Sequence, residues 1–315
     1  MNKIGHPKKT ELHITNELQT YLHAATSHNT RKAYQQDIRH FMEQGGLLPA
    51  NASSLLSYLQ KFAPSLKAQT LKRRLTAIKH WHTYQGFPDP TSHPLIRKTL
   101  SGISRIHGKP TTKAAALTVD QLRIISTFWK NGDNLSSLRN RALILIGFFG
   151  AFRRSELVAI NWEDIHFQDE GITIMISRSK TDQSGEGQTC AIPYGRGELC
   201  PVTALQQWQM ISKLQYGPVF RAINKHQQIQ NLALTPLSVN QILKKVALET
   251  QLPHPENFSG HSLRRGFATA ASTKGVPMVA IMRQGRWRHE GTVYGYIEEG
   301  QRFTDNAANT LLNAK

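Results

Sequence analysis

The sequence predicts a mainly α-helical protein with one small antiparallel β-sheet, divided into two domains. Three observations predict it. Apolar residues recur at helical spacing through most of the chain. A single short segment, Ile172-Thr173-Ile174-Met175-Ile176, alternates with period two instead. The charge changes between two parts of a 315-residue chain: residues 1–117 hold 17 Lys and Arg against 5 Asp and Glu, net +12, whereas residues 118–315 hold 22 against 16, net +6. The segment 108–117, beginning Gly108-Lys109-Pro110-Thr111-Thr112-Lys113, lacks apolar periodicity and reads as a linker between a domain at 1–107 and another at 118–315.

In the first domain, Asn29-Thr30 can cap a helix whose apolar positions are Tyr34, Ile38, Phe41 and Met42, ended by Gly45-Gly46. A shorter helix is expected from Asn51 to Phe62. A third runs from about Thr70 to Gln85, with Leu71, Leu75, Ile78 and Trp81 as its apolar stripe. Lys72, Arg73 and Lys79 lie off that stripe, and the domain's charge of +12 points them toward phosphates, whose neutralisation releases counterions. In the second domain, Leu138 to Phe149 is apolar almost all round and predicts a buried helix stopped by Gly150. The strand at 172–176 is followed by a polar turn, Arg178 to Gly187, and a return strand, Gln188 to Pro193, so Lys180 rides on a hairpin. Helices are expected again over Ser238–Thr250, Gly260–Lys274 and, with proline in its first turn, Pro277–Gln284.

Composition narrows the function. A formal net charge of +18 argues for a polyanionic partner, with nucleic acid ahead of a membrane surface. The longest apolar run, Ala142 to Phe152, is too short to cross a bilayer, and the opening residues lack the apolar core of a signal peptide, so a cytoplasmic protein is expected. Cys190 and Cys200 cannot form a disulfide scaffold or a cysteine zinc site unaided, and read as reduced packing residues.

Four segments carry the chemistry. Gly150-Ala151-Phe152-Arg153-Arg154-Ser155-Glu156-Leu157 puts an arginine at the end of a buried helix, where a charge needs a partner. Glu156 can be that partner, or Arg153 can clamp an anion, since guanidinium matches two phosphate oxygens. His261-Ser262-Leu263-Arg264-Arg265 places His261 and Arg264 on one face near a helix N-terminus, which favours an anion. Lys180 is the third element. The fourth, Gly285-Arg286-Trp287-Arg288-His289-Glu290-Gly291-Thr292-Val293-Tyr294-Gly295-Tyr296, sets two tyrosines behind a basic cluster.

Taken in order, Gly-x-x-Arg-x-Ser-Glu-Leu, a hairpin lysine, His-x-x-Arg and Gly-x-Trp with a tyrosine nine residues on resemble the tyrosine recombinase (phage integrase) family. The stretches 29–34, which include Arg31, and 71–78 look like its helical DNA core-binding domain. The resemblance therefore implies a core-binding domain followed by a tyrosine-recombinase catalytic domain. It implies catalytic Arg153, Lys180, His261, Arg264, Trp287 and Tyr296, with Glu156 in support and Arg31, Lys72, Arg73 and Lys79 on DNA. Many members carry histidine where this chain has Trp287; tryptophan there is similar to Cre recombinase. Tyr296 stands at the family interval from Trp287, and Tyr294 is the local alternative. The implied reaction is site-specific cleavage and rejoining of double-stranded DNA through a 3′-phosphotyrosyl intermediate and a Holliday junction, by a homotetramer, with no metal or other cofactor. A tail bearing Ala307, Ala308, Leu311 and Leu312 at helical spacing would dock on a neighbouring protomer or pack on its own domain.

The same residues leave a type IB topoisomerase, a telomere resolvase and a non-cleaving DNA-binding protein of the same fold as alternatives. A metal-dependent nuclease fits poorly, because the sequence offers no compact carboxylate cluster for two metals.

Overall fold

A computed structural model of the chain describes residues 20–21, 24–110, 113–132, 134–176, 187–301, 306, 308 and 312. It divides into two compact units, Met1–Thr111 and Thr112–Lys315.

The first unit is helical. Helix α1 (His28–Glu43) begins slightly earlier than its sequence suggests, because the Ser27 hydroxyl accepts the Thr30 N–H at 3.3 Å and forms the cap. Helix α2 (Ala52–Phe62) is capped by Asn51, whose side chain accepts from the Ser54 N–H at 2.8 Å. Helix α3 (Ala68–Tyr84) turns Leu71, Leu75 and Ile78 into the core with Phe41, Leu55 and Leu59. Trp81 is only half-buried, and its neighbour His82 lies inside instead. That imidazole accepts the Ala50 N–H on Nε2 at 2.9 Å and pairs with the Ile78 carbonyl through Nδ1 at 2.8 Å, so both ring nitrogens are satisfied. A fourth helix, α4 (Pro94–His107), was not expected; proline in its first turn is its main local signal. Asp37, buried in α1, fastens α3 by a bidentate pair with Arg73 at 2.7 and 2.8 Å.

In the second unit the expected linker is shorter than 108–117. Ala115 and Leu117 donate backbone hydrogen bonds to Asn257 and Ser262, and Leu117 is fully buried. Gly266 permits this approach, since a Cβ there would stand 2.0 Å from the Leu117 carbonyl oxygen. Helix α5 (Val119–Lys130) follows, opened by a capping box of Thr118 and Gln121. Helix α6 (Leu135–Phe149) is buried on nearly every face and packs against α5 and the later α8 (Pro201–Ser212). Between them lie the short α7 (Arg154–Leu157) and an antiparallel sheet, β1 (Ile165–Gln168), β2 (Gly171–Ile176) and β3 (Gln188–Pro193), in that order. The expected hairpin is β2–β3, with Ile174 opposite Cys190. Strand β1 escaped prediction because only Ile165 of its four residues is buried, so it shows no alternation.

A second sheet, with two strands, pairs β4 (Arg221–Ile223) with β5 (Ile229–Ala233), so the described residues hold two small sheets where one was expected. Both its strands are short and half-exposed, which removes the apolar signal. Among the described residues four helices follow: α9 (Pro236–Glu249), α10 (Gly260–Thr273), α11 (Met278–Gly285) and α12 (Glu290–Gln301). Cys190 and Cys200 are buried free thiols. Among the described residues no helix is long and apolar enough to cross a membrane.

Candidate active site

The end of α6 builds the first part of the site. Gly150 stops the helix where a Cβ would run into the Phe152 ring, 2.2 Å away. Ala151 then takes a left-handed φ of 46°, which turns the chain sharply. Arg153 becomes the cap residue of α7, and Glu156 reaches back to it. One carboxylate oxygen, Oε1, accepts from Arg153 Nη1 at 2.5 Å, and the other, Oε2, accepts the Arg153 N–H at 3.0 Å. Arg153 is thus paired with Glu156, while its side chain remains 19% exposed.

Arg264 comes from α10, whose N-terminus is capped by Ser259 and held by Asn240, which accepts the Gly260 N–H at 2.8 Å. The Arg264 side chain is buried and donates through Nη1 to the Ala151 carbonyl, the residue that shapes the Arg153 turn. Its Cζ lies 4.0 Å from the Trp287 ring centroid. Its Nη2 is buried with no hydrogen-bond partner among the described residues. Burial, and then the positive charge of Arg153, pull this guanidinium down to about 9. It stays protonated at neutral pH, but an anion would relieve it. His261 stands on the exposed first turn of the same helix.

The third part comes from the connection between α11 and α12. Arg286 adopts a left-handed φ of 57°, and Trp287 packs back over Gly285. Helix α12 carries both tyrosines. Tyr294 is 50% exposed, whereas the half-buried Tyr296 lies with its ring centroid 6.2 Å from Trp287. Thr269 of α10 donates to the Tyr296 carbonyl at 3.1 Å, and Arg265 Cζ is 5.5 Å from the Tyr296 ring.

Arg153, Glu156, Arg264, Trp287 and Tyr296 are thus linked by contacts across four segments of one unit. Lys180 lies outside the described residues. Arg265 and Arg286 belong to the same constellation, although sequence reasoning gave neither a role. The sequence put each beside a singled-out residue, but only the fold shows where its side chain goes. Burial pushes Glu156 upward, yet its hydrogen bonds and charge pairing with Arg153, and the charge of Arg286, outweigh this and hold it below the ordinary carboxyl value.

In the first unit the four cations expected on DNA are differently placed. Lys72 is exposed. Arg73 is half-exposed but held by Asp37, Lys79 sits 3.3 Å from Asp89, and Arg31 donates to the Thr26 carbonyl.

Similarity to known proteins spans both units. Residues 115–302 match the phage integrase family. An integrase/recombinase xerD homolog of Selenomonas ruminantium is 38% identical over 302 residues, which span 93% of this chain and 88% of the relative. The recombinase cre of Escherichia phage P1 is 24% identical over 265 residues, 79% of this chain and 75% of its own. Among solved structures, the XerH site-specific recombinase bound to palindromic difH substrate, in a post-cleavage complex, aligns with a TM-score of 0.65 at 17% identity, covering 90% of this chain and 79% of that one. A lambda integrase dimer bound to a COC′ core site gives 0.63 at 14% identity, covering 91% and 77%. At such identities the structural likeness speaks for the fold.

Proposed function

Because this chain belongs to the phage integrase family and is a tyrosine recombinase, we propose that Tyr296 is its nucleophile and that Arg153 and Arg264 clamp the scissile phosphate of a specific double-stranded DNA site. The Tyr296 phenol oxygen attacks phosphorus, forming a 3′-phosphotyrosyl ester, and the bond to the 5′ oxygen breaks. A 5′-hydroxyl from the partner duplex then attacks that ester, rejoins the backbone and returns the phenol. Each step exchanges one phosphate ester for another, so resealing draws on no nucleotide cofactor.

The carrying observation is Arg264: a buried guanidinium whose Nη2 has no partner among the described residues, beside Arg153 and near the Glu156 carboxylate. Charge builds on the non-bridging oxygens in the transition state, and two guanidiniums fixed before substrate arrives need little reorganisation to meet it. Losing one such donor typically costs about 2.7–4 kcal/mol in the barrier. A phenol attacks poorly at neutral pH, with an ordinary pKa of about 10, so proton transfer is needed. His261 assists it at Tyr296, and Lys180 protonates the departing 5′ oxygen. Trp287 keeps Arg264 in place with its ring, and Glu156 orients Arg153.

The tetramer belongs to the same proposal. A largely apolar cavity of about 500 Å³, lined among others by Leu117, Val119, Phe148, Phe267 and Ala270, is suited to an apolar helix of a second copy. Leu312 of the tail is 81% exposed, which favours docking on a neighbour; Ala307 and Leu311 lie outside the described residues.

The test uses nicked duplexes tiled from the DNA flanking the gene, incubated with the protein in chelator and resolved on a denaturing gel. A protein–DNA band that survives Tyr294→Phe and disappears with Tyr296→Phe is expected. A band that persists in Tyr296→Phe, or that forms only with a divalent cation, would overturn the assignment.

A further inference from the structure

Arg286 lies one residue before Trp287, and its side chain is only 4% exposed. Its contacts converge on the segment that presents Arg153. Nη2 donates to the Gly150 carbonyl at 3.1 Å and lies 3.4 Å from Glu156 Oε2. Nη1 donates to the Gln284 carbonyl at 2.8 Å, and Cζ sits 4.6 Å from the Phe152 ring centroid. Gly150, Phe152 and Glu156 flank Arg153 on both sides, so one guanidinium braces the turn before it and the carboxylate after it.

We propose that Arg286 is a positioning residue for strand cleavage, holding Glu156 and the 150–152 turn so that Arg153 faces the scissile phosphate with positive charge to spare. The inference rests on Arg153 being an anion clamp. Two physical arguments support it. A lone Arg153–Glu156 pair at 2.5 Å is electrically neutral and would attract a phosphate weakly. Sharing the carboxylate with a second guanidinium leaves the trio of Arg153, Glu156 and Arg286 at a net +1. The second argument is geometric. Among the described residues Glu156 Oε2 is otherwise held only by the Arg153 N–H, within a helix of four residues, so Arg286 supplies the anchor from outside that turn. Both terminal nitrogens of Arg286 are engaged by Gly150, Glu156 and Gln284, which separates its task from that of Arg264, whose Nη2 has no partner among the described residues, and from that of the more exposed Arg153.

The experiment takes the nicked duplex on which the wild-type chain forms its covalent band and prepares it in two forms. One has the ordinary scissile phosphodiester; the other has a methylphosphonate there, in which a methyl group replaces one non-bridging oxygen and removes the negative charge. Single-turnover rates of band formation are measured for wild type, Arg286→Met, Arg286→Lys and Arg153→Ala. Arg286→Met is expected to slow the phosphodiester reaction by up to roughly 10²-fold, the loss that a misplacement of about 1 Å in a reacting site can cause. Most of that deficit should vanish on the methylphosphonate, where no charge awaits a clamp. Arg286→Lys keeps the charge without the fork that reaches both Gly150 and Glu156, so a smaller deficit with the same substrate dependence is expected.

If the Arg286→Met deficit is equal on both substrates while that of Arg153→Ala shrinks on the methylphosphonate, Arg286 is merely structural and the inference is overturned. If Arg153→Ala is also indifferent to the substrate, the clamp assignment itself has failed and takes the inference with it. Should Arg286→Met not fold, Arg286→Lys decides alone: wild-type rates on both substrates, or one deficit common to both, overturn the proposal.

Discussion

Replacing Glu156 by glutamine keeps the shape of the side chain and removes its charge, which makes it the sharpest probe of the site's electrostatics. The carboxylate is 2% exposed, touches Arg153 at 2.5 Å and Arg286 at 3.4 Å, and accepts the Arg153 N–H at 3.0 Å. Breaking a buried ion pair by removing one partner costs about 3–5 kcal/mol. Solvent screens part of the Arg153 share, because that side chain is 19% exposed, but Arg286 is enclosed and would keep an uncompensated charge. The amide oxygen of glutamine still accepts one hydrogen bond, worth about 1 kcal/mol. Glu156→Gln should therefore destabilise the chain by about 2–4 kcal/mol. Urea unfolding at neutral pH measures this, and pH supplies the control. Glu156 is held below its ordinary value of 4.5 in the fold, so its contribution is complete above 4.5 and is lost as pH falls through the folded value. The gap between wild type and variant should be flat around neutrality and close on acidification. A gap under about 1 kcal/mol, or one that persists undiminished in acid, would refute the reasoning.

Two further predictions address other parts of the protein. Gly285→Ala would put a Cβ 1.7 Å from Cζ3 of the Trp287 indole, displacing the ring that supports Arg264; covalent-complex formation should fall by roughly 10²-fold with DNA affinity unchanged, the size of effect expected from a misplacement of about 1 Å. In the first unit, Lys72 is exposed whereas Arg73 is held by Asp37, so Lys72→Ala should lower the log–log salt slope of DNA binding by about 1, read from binding isotherms at several salt concentrations.

What was legible in the sequence follows the strength of the physical signal. Helix α6 could be read because its burial is nearly complete, and α3 because Leu71, Leu75 and Ile78 share one face. The elements that escaped carry weaker marks. Strand β1 has a single buried residue, and the β4–β5 hairpin is half-exposed, so neither alternates. The linker was overextended because Leu117 follows only the small residues Ala114, Ala115 and Ala116, which mark no periodic face, and its burial depends on Gly266, far away in sequence. Among the candidate residues, the order of Arg153, Arg264, Trp287 and Tyr296 is visible in the sequence, and Glu156 as a partner of Arg153 was legible because it lies three positions on. Arg286 could not be assigned a task. Its charge is visible, but its partners at Gly150 and Glu156 lie about 130 residues earlier, and only the fold brings them to it.

The way the site holds its cations explains why it is built mainly from carbonyls and rings rather than from acids. Three guanidiniums, of Arg153, Arg264 and Arg286, gather around one carboxylate. The others' needs are met by the carbonyls of Gly150, Ala151 and Gln284 and by the rings of Phe152 and Trp287. Carbonyl dipoles and aromatic faces hold a cation without cancelling its charge. Pairing each arginine with its own carboxylate would make the free protein more comfortable and the site neutral, and an arriving phosphate would then compete with acids already in place. The lowering of Arg264 to about 9, by burial first and then by Arg153, is the mark of the arrangement chosen instead. The free protein carries a positive charge it does not fully satisfy. With Arg264 as the proposed clamp, a phosphate beside its Nη2 would meet that need, and the tension left in the free site would favour binding and, where charge grows on the phosphate oxygens, the cleavage step itself.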